Sequence, residues 1–403
     1  MYVSSKPEAH PAVADIPVKL AIYQELVYHR DERGYSTDRA FILFALALRA
    51  HFERLVLVGR VDPVPGRAAY AIPTEVEVVP LPHYKTLRDL TGLTRVLPRT
   101  LRALWRSLDD VDALWSLGPH PMSIPIALFG SARHRRVVLG VRQDFPEYVR
   151  HRLPNRRWRP ALFLATVLEK SFRLLGRRMP VVVVGHDLFD RYARKGASVL
   201  ELAVSLVSEN DIAERPHVRE LGDEAPLELL SVGRLDPEKS PLLLLEMLER
   251  LQRSSDRPWR LTIIGTGPLE NELRAAAERF NGAVRVAGYV PYGMELLDSY
   301  READILVHVS QTEGLPQVLI EAQALGLPIV ATDVGGVRAA LDDGTAGLLV
   351  QANDSEALAT AVQQLADDPA LRTRMAVRGL ELVREATIEN QAARVAVFIG
   401  DRK

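Results

Sequence analysis

The chain has 403 residues, 26% of them charged and 47% hydrophobic, and no cysteine. At about 100–200 residues per domain this length predicts two domains, or at most three, each able to bury a core, and the lack of cysteine excludes a disulfide framework, thiolate-bound zinc, an iron–sulfur cluster and a cysteine nucleophile. The formal net charge of −1 hides an asymmetry: residues 1–200 carry 31 Lys and Arg against 19 Asp and Glu, whereas 201–403 carry 20 against 33.

Residues 1–16 are polar, are broken by Pro7 and Pro11 and have no apolar stretch of the kind a secretion signal needs, so they read as a loose tail. No apolar run approaches the roughly 18–20 residues that span a bilayer, and a soluble, cytoplasmic protein is expected. An apolar run over 18–23 is followed by a polar loop over 25–37 and a helix over 38–50. Brief β-branched segments recur at 55–58, 76–79, 111–115, 137–141 and 181–184, separated by Arg-rich stretches of helical length. The second half repeats the pattern, with strands at 227–232, 260–264, 284–286, 305–309, 329–331 and 348–350, helices such as 241–251 and 269–280, and a helical tail from 355. Strands alternating with helices predict an α/β fold of two doubly wound parallel sheets. Residues 208–226, acidic and punctuated by Pro216, Gly222 and Pro226, read as the connection between domains 17–207 and 227–385, and 386–403 as a final helix able to cross back. Ligands bind beyond the carboxyl ends of such strands, so the site is expected in a cleft between the domains.

Three strand-to-helix junctions carry chemistry. In 309–322, Glu313 stands in a loop, Pro316 suits the first position of a helix, and Glu321 lies one to two turns inside it. The helix start is an anion site, and two carboxylates eight positions apart can grip two polyhydroxylated groups such as a sugar and a ribose. Taken alone, they fit a surface loop and a solvated helix face as well. In 231–240, Arg234 and Lys239 place a fork and a point charge five residues apart, a pair suited to a diphosphate leaving group, or equally a capping loop with a surface ion pair. No cluster with metal-ligand spacing accompanies them, so neither metal nor cofactor is expected. The third junction, Gly265-Thr266-Gly267-Pro268, is a weak dinucleotide signal lacking a third glycine, but suits a turn that a nucleotide approaches closely.

Gly233-Arg234-Leu235 with Glu238-Lys239, the Gly265–Gly267 turn, Gly288-Tyr289-Val290-Pro291, Glu313-Gly314 with Glu321-Ala322, the run over 326–332, and Gly335-Gly336 together resemble the retaining glycosyltransferases of family 4, which have the GT-B fold. The resemblance is dense over about 227–350; the N-terminal half shares only the strand–helix grammar. It implies that Arg234 and Lys239 bind the donor diphosphate, that Glu313 lies against the donor sugar, and that Glu321 holds the ribose. It further implies that Gly233, Gly265, Gly267, Gly314, Leu315 and Pro316 give backbone contacts around the donor and that the Val290 backbone reads the base. The implied reaction is transfer from a UDP- or GDP-sugar to an acceptor hydroxyl, with retention and without a metal.

Four departures stand out. Ser240 occupies a usual Gly, and Ala339 a usual acidic position. Arg142 stands where many members have a His beside the donor sugar, with Asp144 two residues on; either Arg142 meets an anionic acceptor or the phosphate, or the site has lost an interaction. Gly34 and Tyr35 fall in a loop where the family often has two glycines, and are candidates for acceptor contact. No second carboxylate flanks the bond as in retaining glycosidases, so attack on the face the leaving group vacates is favoured, a diphosphate oxygen taking the proton. The alternatives are a nucleotide-sugar epimerase and a non-catalytic nucleotide-sugar-binding subunit.

Two basic stretches remain: Lys85, Arg88, Arg95, Arg99, Arg102 and Arg106 among leucines, and Arg150, Arg152, Arg156, Arg157 and Arg159 beside Trp158. They fit ordinary surface helices or an anionic membrane surface near a lipid-linked or anionic acceptor. No nucleic-acid module accompanies them, and no nucleic-acid partner is expected.

Overall fold

The computed structural model describes residues 16–84, 90–151, 159–194, 196–219 and 225–401. They group into two units, Met1–Leu202 with Glu389–Lys403, and Ala203–Ile388.

The strands of the first unit are β1 (Ile16–Asp31), β2 (Gly34–Thr37), β3 (Phe52–Val61), β4 (Tyr70–Ala71), β5 (Glu77–Leu81), β6 (Ala113–Gly118), β7 (Arg136–Val141), β8 (Val181–Val184) and β9 (Val199–Leu202). Its helices are α1 (Phe41–Ala47), α2 (Leu90–Arg106), α3 (Ser123–Ala132), α4 (Phe145–His151), α5 (Arg159–Leu175) and α6 (His186–Tyr192). Strands β5, β3, β1, β6, β7, β8 and β9 lie side by side in that order, each neighbouring pair parallel. The middle strands β7 and β8 are almost wholly buried, which is why they read as unbroken β-branched runs rather than alternating ones.

The polar stretch over 25–37 is strand, not loop. β1 bulges between Tyr23 and Val27, continues to Asp31, and turns at Gly34 (φ 118°) into antiparallel β2, which pairs with β4. Leu26 and Tyr28 are buried at alternate positions, so period-two packing carries the strand through its charged residues.

The second unit contains β10 (Leu227–Val232), β11 (Trp259–Ile264), β12 (Val284–Gly288), β13 (Ile305–His308), β14 (Ile329–Thr332) and β15 (Leu348–Val350). Its helices are α7 (Leu243–Ser254), α8 (Glu270–Ala277), α9 (Met294–Glu302), α10 (Gln317–Ala324), α11 (Val337–Ala340), α12 (Ser355–Asp367) and α13 (Pro369–Val383). The sheet is parallel in the order β12-β11-β10-β13-β14-β15. Side-chain parity splits its core into two layers: Leu229, Ile305 and Val307 pack with Leu244 of α7 and Leu358 of α12, while Leu230 and Leu306 pack with Leu297 of α9 and Leu319 of α10. Each such side chain contributes about 1.5–3 kcal/mol of apolar burial.

The described part of 208–226 packs onto this unit. Ser208 caps a short turn, Glu209–Asp211. The backbone N–H groups of Ala213 and His217 donate to the carbonyls of Ala324 (2.8 Å) and Gly326 (3.0 Å), and Arg219 forks onto buried Asp304, its Nε 2.7 Å from Oδ1. Helix α14 (Ile388–Gly400) belongs almost entirely to the first unit, where Ala392, Val395 and Ile399 are buried and Arg136 donates to the Phe398 carbonyl at 2.9 Å.

The tail over 1–15, together with Lys85, Arg88, Arg152, Arg156, Arg157 and Trp158, lies outside the described residues; Arg99, Arg102 and Arg106 are exposed on α2. No helix among the described residues is long and apolar enough to cross a membrane.

Candidate functional site

Strand order in the second sheet reverses between β10 and β13, which places the loops following those two strands side by side at the carboxyl edge, where open α/β sheets bind ligands. These are the loops that carry Arg234, Lys239 and Glu313. They are stitched together: Gln311 N donates to the Glu238 carbonyl at 2.8 Å, and the Ser310 hydroxyl to the same carbonyl at 3.3 Å. Ser240 has left-handed backbone (φ 43°), the conformation that glycine adopts without strain, and its hydroxyl accepts from Gln311 Nε2 at 3.0 Å.

Lys239 Nζ pairs directly with Glu313 Oε1 and lies 3.5 Å from both the Ser310 hydroxyl and the Thr312 carbonyl. His308 Nε2, from the last residue of β13, lies 3.1 Å from the same carboxylate oxygen. Burial pushes the Glu313 carboxyl up, but the His308 hydrogen bond and the Lys239 charge outweigh it and hold the group at about 2. An ionised carboxylate only accepts hydrogen bonds, so His308 Nε2 carries the proton. His308 was not singled out in the sequence, where it is one polar residue inside an apolar run. Arg234 is half-exposed and pairs with Asp236 and Glu238, its Nη2 3.0 Å from Glu238 Oε1. Both cations therefore already face carboxylates before any anion arrives.

Pro316 is extended (ψ 115°) and precedes α10 as its cap residue rather than forming the first helical position. Glu321 is 5% exposed, and the Tyr300 hydroxyl donates to its Oε2 at 2.6 Å. Burial pushes the Glu321 carboxyl up to about 7, against the opposing effect of that hydrogen bond. The two glutamates thus sit in opposite electrostatic settings. Leu315 packs against Val207, Ile320 and Val383, while Gly314 is exposed.

The glycine turn is packed tightly against the loop that carries Arg234. A Cβ on Gly265 (φ 148°) would lie 1.8 Å from the Gly233 carbonyl oxygen, and one on Gly267 2.5 Å from the Leu235 carbonyl. Leu235 N donates to Thr266 O at 2.9 Å across this contact. The absent side chains admit the neighbouring loop, backbone against backbone, so Gly265 and Gly267 shape the Arg234 loop from beneath. Gly335 and Gly336 do the same for the second loop, where a Cβ would fall 1.9 Å from the Glu313 or Gly314 carbonyl. Gly265→Ala is expected to destabilise the protein by about 1–3 kcal/mol, measured by denaturant unfolding, because no rotamer change relieves a backbone clash. Gly288 (φ 81°) ends β12, and Val290 beyond it is half-buried against the α9 side of the core.

In the first unit, Arg142 follows β7 and is exposed, its guanidinium carbon 4.2 Å from the centre of the Phe41 ring. Asp144 caps α4: its Oδ1 accepts from Glu147 N at 3.1 Å and its other oxygen pairs with Arg191. Gly34 and Tyr35 lie in the β1–β2 hairpin, with Arg30 over the Tyr35 ring at 5.4 Å, in place of the expected loop. A polar cluster centres on Glu25, whose oxygens accept the hydroxyls of Tyr23 and Tyr84, each at 2.7 Å, with His120 Nδ1 3.3 Å away. It stands where β6 ends beside β1, the reversal point of this sheet, in a stretch whose polarity predicts a loop. Among the described residues no three His, Cys, Asp or Glu side chains are grouped to hold a metal ion.

Residues 214–381 match the family described as Glycosyl transferases group 1. D-inositol 3-phosphate glycosyltransferase of Corynebacterium glutamicum is 35% identical over 199 residues, 48% of this chain and 48% of that protein. The chain spans about half the length of the curated relatives it matches. Sucrose-phosphate synthase from Thermosynechococcus elongatus has a similar structure, with a TM-score of 0.68 at 18% identity over 94% of this chain and 97% of the other. Anabaena HepE, solved in complex with UDP-glucose, gives 0.62 at 15% identity over 94% and 99%. Two parallel-sheet units of this kind define the GT-B fold. The part that matches the glycosyl transferases group 1 model, residues 214–381, lies within the second unit.

Proposed function

We propose that the chain transfers a sugar from a nucleoside diphosphate sugar to an acceptor hydroxyl, with retention at the anomeric carbon and without a metal. The observation that carries this reading is the meeting of Lys239 and Glu313 at the reversal point of the second sheet, with Arg234 beside them and Glu321 a short way into α10. The donor diphosphate takes over Lys239 and Arg234 from their carboxylate partners, and the ribose hydroxyls hydrogen-bond to Glu321. The bond from the anomeric carbon to the diphosphate oxygen breaks while the acceptor oxygen bonds to the same face. The acceptor proton passes to the departing diphosphate oxygen, and the two cations meet the charge that develops there. UDP is the favoured base-bearing leaving group on the analogy of the HepE complex.

The acceptor is proposed to carry an anion. Arg142 presents an exposed cation held against Phe41, and the curated relatives are named for an inositol phosphate acceptor. A phosphorylated polyol is then a better acceptor than the same polyol without phosphate, and Arg142→Gln is expected to narrow the difference by roughly ten-fold or more, since a charged hydrogen bond contributes about 1.5–3 kcal/mol.

The test is incubation of the purified chain with UDP- and GDP-sugars, reading thermal stabilisation first and then product stereochemistry by NMR. Product of inverted configuration would overturn retention; stabilisation without turnover over a broad acceptor panel would favour a binding subunit, the reading for which Arg142 in place of a histidine speaks.

A further inference from the structure

We propose that the outward face of α5 is a docking surface for an anionic lipid bilayer. Phe163, Leu164, Val167 and Leu174 on this helix are 72%, 62%, 42% and 60% exposed. Their spacing puts them on one side of the helix, while Ala165, Leu168 and Phe172 fill the other side and are buried. A helix that packs onto a domain ordinarily turns a polar face to water; this one also turns four large apolar side chains outward.

The exposed charges on α5 and just past its end are positive. Lys170 is exposed on the same side, Arg177 and Arg178 are exposed just past the helix end, and Arg150 is exposed on α4, which packs against α5. Glu169 is the single carboxylate of α5; it is buried and accepts the Tyr192 hydroxyl at 2.8 Å.

This combination selects the occupant. A second copy docking about a two-fold axis would set the same cations against themselves. An anionic bilayer satisfies both parts at once, taking the apolar side chains into the acyl boundary and the cations to lipid phosphates.

The experiment is co-sedimentation of the full chain with vesicles of phosphatidylcholine alone and of equimolar phosphatidylcholine and phosphatidylglycerol. Binding to the anionic vesicles is expected, with little to the neutral ones. The double variant Phe163→Ser with Leu164→Ser is expected to lose about ten-fold or more in partitioning while keeping its melting temperature, because both side chains are exposed. Reversing Lys170, Arg177 and Arg178 to Glu is expected to remove the preference for phosphatidylglycerol. Equal binding to both vesicles, no binding to either, or a concentration-dependent dimer that the Ser variants abolish would each overturn the proposal. None of these readouts uses turnover, so they stand apart from the glycosyl-transfer reading.

Discussion

Lys239→Ala is expected to lower kcat/KM for sugar transfer by about 10²–10³-fold, the usual loss when a preorganised group facing developing charge is removed. The effect falls mainly on kcat, since charge grows on the diphosphate as the bond breaks and is smaller in the bound donor. The structure adds a second cost. Lys239 shares Glu313 with His308, and both side chains of the Lys239–Glu313 pair are largely shielded from water. Without the lysine, a mostly buried carboxylate keeps only His308, and its titration moves up from about 2. Lys239→Arg, which retains the charge, is expected to recover part of the loss, whereas His308→Gln should keep a donor toward Glu313 and cost less than His308→Ala. Steady-state kinetics at saturating acceptor checks all four, and an unimpaired Lys239→Ala enzyme would remove Lys239 from the mechanism.

Glu321→Gln is expected to make the ligand-free protein more stable and the enzyme worse. The Glu321 carboxyl sits at about 7 when folded against an ordinary value near 4.5, so between these limits the unfolded chain gives up a proton that the folded one keeps. Stability therefore falls as pH rises through that window and is lower by on the order of 3 kcal/mol above it. Glutamine removes this penalty and still accepts the Tyr300 hydroxyl. Denaturant unfolding should show the variant ahead at pH 8, with the gap closing toward pH 5. On the proposed reading Glu321 takes the ribose hydroxyls, so donor affinity is expected to weaken roughly ten- to hundred-fold at the same time. In the wild type, donor affinity should decline as pH drops through about 7, because protonation removes an acceptor. A gap in stability that does not depend on pH would contradict this account.

Much of this site could be read from residue order. Strands buried on both faces announce themselves as β-branched runs, as β8 does with four consecutive valines, and the loops at the reversal point carry the glycines and charges that the resemblance uses. What could not be read depends on contacts across the sequence. The β1 extension through Glu25 to Asp31 looks like a loop because alternating burial is masked by charge at the intervening positions. That the glycines at 265 and 267 make room for backbone atoms some thirty residues earlier, at 233 and 235, is visible only in the fold. Asp144 looks available beside Arg142 until Arg191 is seen to hold it. The apolar residues of α5 count toward a core in any periodicity argument, and exposure alone shows that four of them face outward.

The return of the chain at Glu389 bears on how the protein is made. The second unit is an insertion within the first, so during synthesis it is finished while its host still lacks Val395 and Ile399, both fully buried there, and the residue whose carbonyl Arg136 contacts. Of the two units, the first is begun earlier and completed later. Removing the final fifteen residues is expected to harm the half of the protein that was synthesised earliest, leaving the sheet that carries Lys239 and Glu313 intact.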